Sequence, residues 1–168
     1  ALFGNLAPGG AILKRSAADP TLFEATGRAV VFTSLEDLAE RIDAEDLDVK
    51  ADDILVLQNA GPKSPSGMPE AGYIPIPKKL AQAGVKDMIR ISDCRMSGTA
   101  FGTIVLHVTP EAAVGGAIGL VKNGDEIRLS IANKTLELLV DNAELKRRRQ
   151  ANPPQPATPT RGYAKLYA

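Results

Sequence analysis

The sequence lacks tryptophan, and it contains one cysteine, one histidine and only 4% aromatic residues. A single cysteine excludes an internal disulfide, and it excludes any metal or iron–sulfur site built from several cysteines of this chain. It is also typical of a protein of the reducing cytoplasm, which is where we expect this chain to be located. The shortage of aromatic side chains argues against stacking platforms for single-stranded nucleic acid.

The sequence also has no excess of positive or negative charge and no long run of apolar residues. The 168 residues include 20 Lys and Arg against 20 Asp and Glu, so we expect neither nucleic acid nor a membrane as a partner. No apolar run approaches the roughly 18–20 residues that span a bilayer, and the start "ALFGNLAPGG" has no signal-peptide pattern. The basic cluster at residues 146–149 is predicted to be the last turn of a helix, where the helix dipole favours cations, rather than a nucleic-acid patch.

The length predicts one domain with a sizeable core. Residues 1–27 hold several glycines and prolines and are predicted to be an extended lead-in, with room for a short strand at 11–13. Residues 28–150 are predicted to be the folded domain. The proline-rich segment 151–168 is predicted to be a stiff spacer and a tail that docks beyond this core.

Within the folded domain the pattern predicts about six strands and four helices. Continuous apolar runs predict buried strands, and alternation predicts a hairpin at 125–140. Helices are predicted after capping boxes that begin at Ser34 and Asp141, at 78–84, and over 110–124. The fold class is therefore predicted to be mixed α/β, a barrel-like mixed sheet flanked by helices, and not a doubly wound parallel sheet.

Two stretches could carry chemistry. The long loop 60–75 has three glycines, four prolines and a single acid, Glu70, which is either a ligand of a divalent metal ion or a solvated loop carboxylate. The stretch "SDCRMSGTAFG" offers Ser97, Thr99 and Cys94 as nucleophile or base.

A nucleophilic serine normally needs a neighbouring base, and the only histidine is His107, inside an alternating strand. We interpret His107 as a sheet histidine, so a serine hydrolase is poorly supported. Cys94 is either a reactive thiol beside Arg95 or, as we favour, a buried structural cysteine. If Ser97 is catalytic, a metal ion or a cluster must lower the pKa of its hydroxyl, and this chain has a full ligand set for neither.

Four stretches in consistent order resemble the C-terminal domain of the dihydroxy-acid dehydratase / phosphogluconate dehydratase family. They are "GNLAPGGAILK", "NAGPKSPSGMPE", "RISDCRMSGTAFGTIVLHVTPEAA" and "GGAIGLVKNGDEIRL". The sequence of the motif "SDCRMSGTAFGTIVLHV" is most similar to that of the sugar-acid (aldonate) branch. The resemblance implies a swivelling β/β/α domain, related to the small mobile domain of aconitase-type enzymes.

The resemblance also implies a reaction, the removal of water from a 2,3-dihydroxy acid to give a 2-keto-3-deoxy acid. Ser97 corresponds to the serine that takes the proton from carbon 2, Thr99 and Gly98 to the substrate-binding loop, and Glu70 to a magnesium ligand. The implied cofactors are an iron–sulfur cluster of the 2Fe–2S type and Mg²⁺. Both need ligands outside this chain, and Cys94 stands where the family usually has Ala or Gly.

The implied partners are an N-terminal domain of the same protein, absent from these residues, a small sugar acid, and a second copy in a homo-oligomer. We therefore expect this chain alone to be inactive. Two narrower alternatives stay open, the dihydroxy-acid dehydratase of branched-chain amino-acid synthesis and phosphogluconate dehydratase. An alternative of another class is a non-catalytic binding or assembly module.

Overall fold

The computed structural model describes residues 1–66, 74–95, 101–154, 156, 158–162 and 165–166. These residues form a single mixed sheet of seven strands in the order β1-β5-β4-β3-β2-β6-β7. The strands are β1 (Gly10–Leu13), β2 (Glu24–Phe32), β3 (Ile54–Leu57), β4 (Arg90–Ser92), β5 (Ile104–Thr109), β6 (Glu126–Ser130) and β7 (Thr135–Leu138). The helices are α1 (Leu35–Arg41), α2 (Lys78–Gln82) and α3 (Asn142–Ala151).

The four central strands, from β2 to β5, run parallel to one another, whereas β1, β6 and β7 pair antiparallel to their neighbours. The predicted mixed sheet is therefore confirmed, as is the hairpin, which is β6 and β7. The N-terminal residues bring the two edges of this sheet together. Leu2 exchanges two backbone hydrogen bonds of 2.9 Å with Ala11 of β1, and the Phe3 carbonyl accepts from the Leu136 amide of β7 at 2.8 Å. This closure makes the sheet barrel-like.

Residues 29–32 of β2 and all of β3 are buried. These parallel strand segments are covered on both faces, which explains their uninterrupted apolar sequences. Alternate residues of β2 and β3 belong to two separate hydrophobic clusters. The cluster inside the curled sheet includes Val31 and Val56, and the cluster beneath α1 and α2 includes Phe32 and Leu57.

Both predicted capping boxes begin their helices as expected. The side chain of Ser34 accepts a hydrogen bond from the Asp37 amide at 3.2 Å, and that of Asp141 accepts from the Glu144 amide at 2.8 Å. Such caps satisfy backbone donors that have no partner within the helix. In α3 the basic cluster lies at the helix end as predicted, with Arg148 and Arg149 in the last turn.

The prediction of one helix over residues 110–124 is wrong. This segment forms two short 3-10 helices, Ala112–Val114 and Ala117–Leu120. Gly115 between them has a left-handed φ of 89°. At Gly116 an added Cβ would lie 1.7 Å from the Pro110 carbonyl oxygen, so the chain folds back on itself here.

The lead-in 1–27 contributes more to the folded unit than an extended segment would. The short strand allowed at 11–13 exists as β1, and Leu6 and Ala7 are fully buried in the inner cluster. The division of the chain into lead-in, domain and tail stays a prediction. In the part of the chain that the structure describes, no helix combines the length and apolarity that a membrane crossing requires.

Candidate functional site

The two candidate loops follow neighbouring parallel strands. Leu57 at the end of β3 is paired with Ser92 at the end of β4. Because the carboxyl ends of parallel strands meet at one edge of a sheet, the segments that leave these strands start side by side. The predicted site residues lie farther along, in 67–73 and 96–100, which are outside the described residues. The predicted roles of Glu70, Ser97, Gly98 and Thr99 therefore stay predictions.

Asp93, directly after β4, anchors the start of the first candidate loop, residues 60–75. The residue is only 2% exposed. One carboxylate oxygen accepts a hydrogen bond from the Ala60 amide at 3.0 Å, and the other accepts from the Ala112 amide at 2.9 Å. Burial raises the pKa of this carboxyl group, although the two backbone donors act in the opposite direction.

Glu111 fastens the same loop a few residues farther on. Its Oε2 accepts a hydrogen bond from the Lys63 amide at 2.9 Å. Gly61 leaves the space for this carboxylate, because a Cβ there would lie 2.3 Å from Oε2. Burial raises the pKa of Glu111, and the negative charge of Asp93 raises it further.

Arg90, in β4, contacts the far ends of both loops. Its Nη1 donates to the Ile74 carbonyl at 3.0 Å, and its Nη2 donates to the Phe101 carbonyl at 3.2 Å. Ile74 follows the first undescribed segment, and Phe101, whose side chain is 81% exposed, follows the second. Two carboxylates thus hold the start of one loop, and one guanidinium joins the ends of both.

Cys94 is buried, as we favoured from the sequence. Its side chain has no exposed surface, and burial raises the pKa of its thiol to about 11. The thiol is therefore protonated at neutral pH, which is the opposite of what a reactive thiolate beside Arg95 requires.

His107 lies in β5 as predicted, with an exposed side chain and a left-handed φ of 53°. This conformation belongs to a bulge, because the register between β1 and β5 shifts at this point. The His107 amide donates to the Cys94 carbonyl at 3.2 Å. Its predicted partner in the hydrolase alternative, Ser97, lies outside the described residues.

The described residues do not fit a cluster or a complete metal site by themselves. Within the described ranges, no group of three or more His, Cys, Asp and Glu side chains converges on a point. The only cysteine is buried and protonated, whereas a cluster is held by several thiolates. Asp93 and Glu111 already accept backbone hydrogen bonds.

Sequence reasoning missed Asp93, Glu111 and Arg90. One signal was available: Asp93 directly follows a buried strand, where a charged group needs dedicated partners. The contacts of Arg90 with Ile74 and Phe101 had no local signal, because these partners are backbone carbonyls 16 and 11 residues away in the sequence.

Comparison with known proteins gives a consistent result. Residues 1–168 match the family model described as dihydroxy-acid/6-phosphogluconate dehydratase, C-terminal. The chain is 53% identical over 166 residues to a 6-deoxy-6-sulfo-D-gluconate dehydratase of Pseudomonas putida, and 50% identical over 166 residues to an L-arabinonate dehydratase of Rhizobium leguminosarum bv. trifolii. It is 44% identical over 167 residues to a dihydroxy-acid dehydratase of Syntrophobacter fumaroxidans. In each case 99% of this chain is covered but only 29% of the relative.

Proposed function

Because the chain belongs to the dihydroxy-acid/6-phosphogluconate dehydratase family, we propose that it is the C-terminal, base-supplying domain of a sugar-acid dehydratase. The observation that carries this proposal is the identity of 50–53% over 99% of the chain to relatives named for sugar-acid substrates. The identity to the relative named for a dihydroxy acid is lower, at 44%. The sugar-acid branch is therefore preferred to branched-chain amino-acid synthesis.

The reaction converts a 2,3-dihydroxy acid into a 2-keto-3-deoxy acid. Ser97, as the alkoxide, removes the proton from carbon 2, and the electron pair of that C–H bond forms the C2–C3 double bond. The hydroxyl group on carbon 3 departs and, with a proton, becomes water. The resulting enol then tautomerises to the 2-keto acid, so no oxidant or reductant is consumed. Thr99 and Gly98 line the substrate beside this base.

The fold supports this assignment of roles. The loops that carry Glu70 and Ser97 leave the paired ends of β3 and β4 and are fastened to each other by buried charged groups. A base and a metal-binding carboxylate must reach one small substrate together, so loops that start and end side by side suit a shared site.

The cofactors of the complete enzyme would need residues beyond this chain. We propose that Glu70 supplies one ligand to Mg²⁺ and that the remaining ligands, and all the cysteines of a 2Fe–2S cluster, come from the N-terminal part. When bound, these groups supply Lewis acidity at the substrate oxygens. The chain spans 29% of the length of its relatives, so we propose that it is inactive alone. From the family resemblance we also propose that the complete enzyme is a homo-oligomer, and from the single cysteine that it is cytoplasmic.

The test is an assay of the complete protein on L-arabinonate, D-gluconate, 6-deoxy-6-sulfo-D-gluconate and a branched 2,3-dihydroxy acid. We expect turnover of at least one sugar acid. Ser97→Ala should lower kcat by about 100-fold or more, because a positioned base contributes about 10²–10⁴-fold, while the cluster absorbance and the magnesium content stay unchanged. Ser16→Ala, at an exposed position in a 3-10 helix, is the matched control and should keep full activity.

Two results would contradict the proposal. If Ser97→Ala keeps the wild-type turnover, Ser97 is not the catalytic base. A complete protein that dehydrates none of the four acids, although it holds its cluster and Mg²⁺, would favour the binding or assembly module.

A further inference from the structure

We propose that Arg90 is a positioning residue that sets the separation between the loop carrying Glu70 and the loop carrying Ser97. This inference rests on the proposed function of those two loops. Arg90 belongs to neither loop, and it acts through the backbone carbonyls at their far ends.

The geometry places Arg90 between two equivalent points of the loops. Ile74 follows Glu70 by four residues, and Phe101 follows Ser97 by four. One guanidinium nitrogen donates to the Ile74 carbonyl at 3.0 Å, and the other terminal nitrogen donates to the Phe101 carbonyl at 3.2 Å. A guanidinium is planar and its donors are fixed relative to one another. Hydrogen bonds to this one rigid group therefore fix the positions of the two carbonyls relative to each other.

The guanidinium is itself held in place. Arg90 is 3% exposed, and its Nε donates to the Met88 carbonyl at 3.2 Å. Its Nη2 also contacts Asp87 Oδ1 at 2.8 Å. Asp87 in turn accepts from the amide and the hydroxyl of Thr103 at 2.8 and 2.7 Å. At Gly102 a Cβ would lie 1.9 Å from Nη2, so a glycine is required for the second loop to approach this closely.

Charge compensation does not require these contacts with backbone carbonyls. The carboxylate of Asp87 supplies a negative charge next to the guanidinium, as a buried arginine requires. The bonds to Ile74 and Phe101 add a geometric link between two segments that are distant in sequence. A displacement of about 1 Å between reacting groups can cost about 100-fold in rate. Loss of this link should therefore lower kcat strongly even where the melting temperature changes little.

The experiment compares two substitutions of Arg90 with a control in the complete enzyme. Arg90→Lys keeps the charge and the contact with Asp87 but has one nitrogen in place of the fork, and Arg90→Met removes every donor. The control is Arg148→Met, because Arg148 is also a buried arginine bound to carboxylates and to a backbone carbonyl, but in α3. The measurements are kcat, KM, the melting temperature, and amide hydrogen exchange in peptides that end near Ile74 and Phe101.

We expect Arg90→Lys to lower kcat about 10-fold or more with a melting temperature no lower than that of Arg148→Met, and Arg90→Met to lower kcat further. Both Arg90 variants should raise exchange in the two loop peptides, whereas Arg148→Met should not. The proposal is overturned if Arg90→Lys keeps the wild-type kcat, or if exchange in the two peptides is the same in the Arg90 variants and the control. If Ser97→Ala remains active, the proposed function fails, and the exchange data alone then decide whether Arg90 positions the loops.

Discussion

The Oδ2 atom of Asp93 accepts a hydrogen bond of 2.9 Å from the amide of Ala112, while Oδ1 of the same carboxylate accepts from Ala60 at 3.0 Å. One buried side chain thus connects the end of β4 to the segment after β5 and to the first candidate loop. These contacts stabilise the charged carboxylate, yet burial outweighs them and the pKa of Asp93 is raised. The site is built at some cost in stability at neutral pH.

This balance predicts a pH dependence of stability. A carboxyl group with a raised pKa in the folded state is protonated there while the unfolded chain is already ionised, so stability falls as the pH rises above the ordinary value of 3.8 toward the folded pKa. The free energy of unfolding of the wild-type chain, relative to that of Asp93→Asn, should therefore decrease as the pH rises above about 4. Urea unfolding of both chains at several pH values measures it. A difference that grows with pH would mean that the two backbone donors outweigh burial.

A second prediction concerns Cys94. Because its thiol is buried and has a pKa of about 11, the folded chain should react with a thiol reagent at pH 8 at least about 100-fold more slowly than the chain unfolded in urea. In the complete enzyme, Cys94→Ala should keep the cluster absorbance, since we assign no cluster ligand to this position. Rapid labelling of the native chain, or loss of the cluster in the variant, would contradict this assignment.

The strands and caps were predictable because their signals are local. The apolar run "ILVL" is a strand buried on both faces, and Ser34 caps α1 through an amide three residues away. The failed helix at 110–124 and the missed role of Asp93 have a different origin. Both depend on contacts with backbone groups that only the folded chain brings close, and the spacing of hydrophobic residues does not indicate such contacts.

Gly116 tests the explanation of the failed helix. Its φ is −60°, which any residue can adopt, so we infer that space and not conformation requires glycine there. A Cβ would lie 1.7 Å from the Pro110 carbonyl oxygen, and Gly116→Ala should therefore lower the free energy of unfolding by about 3 kcal/mol. Gly124→Ala is the control, because φ is 90° but nothing lies within 4 Å of the added Cβ, and backbone strain alone costs about 1–2 kcal/mol. Equal losses in urea unfolding would refute the steric explanation.

Two adjacent arginines of α3 should differ sharply in their contribution to stability. The side chain of Arg148 is 9% exposed and binds Asp125, Glu144 and the Leu120 carbonyl, and these carboxylates raise the pKa of its guanidinium. Removing one partner of such a buried pair leaves an uncompensated charge, so Arg148→Met should cost about 3–5 kcal/mol. Arg147 also pairs with Glu144, but its side chain is 76% exposed, and water compensates for the loss of such a surface pair, so Arg147→Met should cost less than about 1 kcal/mol. Urea unfolding of the two variants at pH 7 measures the contrast, and similar losses would show that the contact of Arg148 with Asp125 does not hold α3 against the sheet.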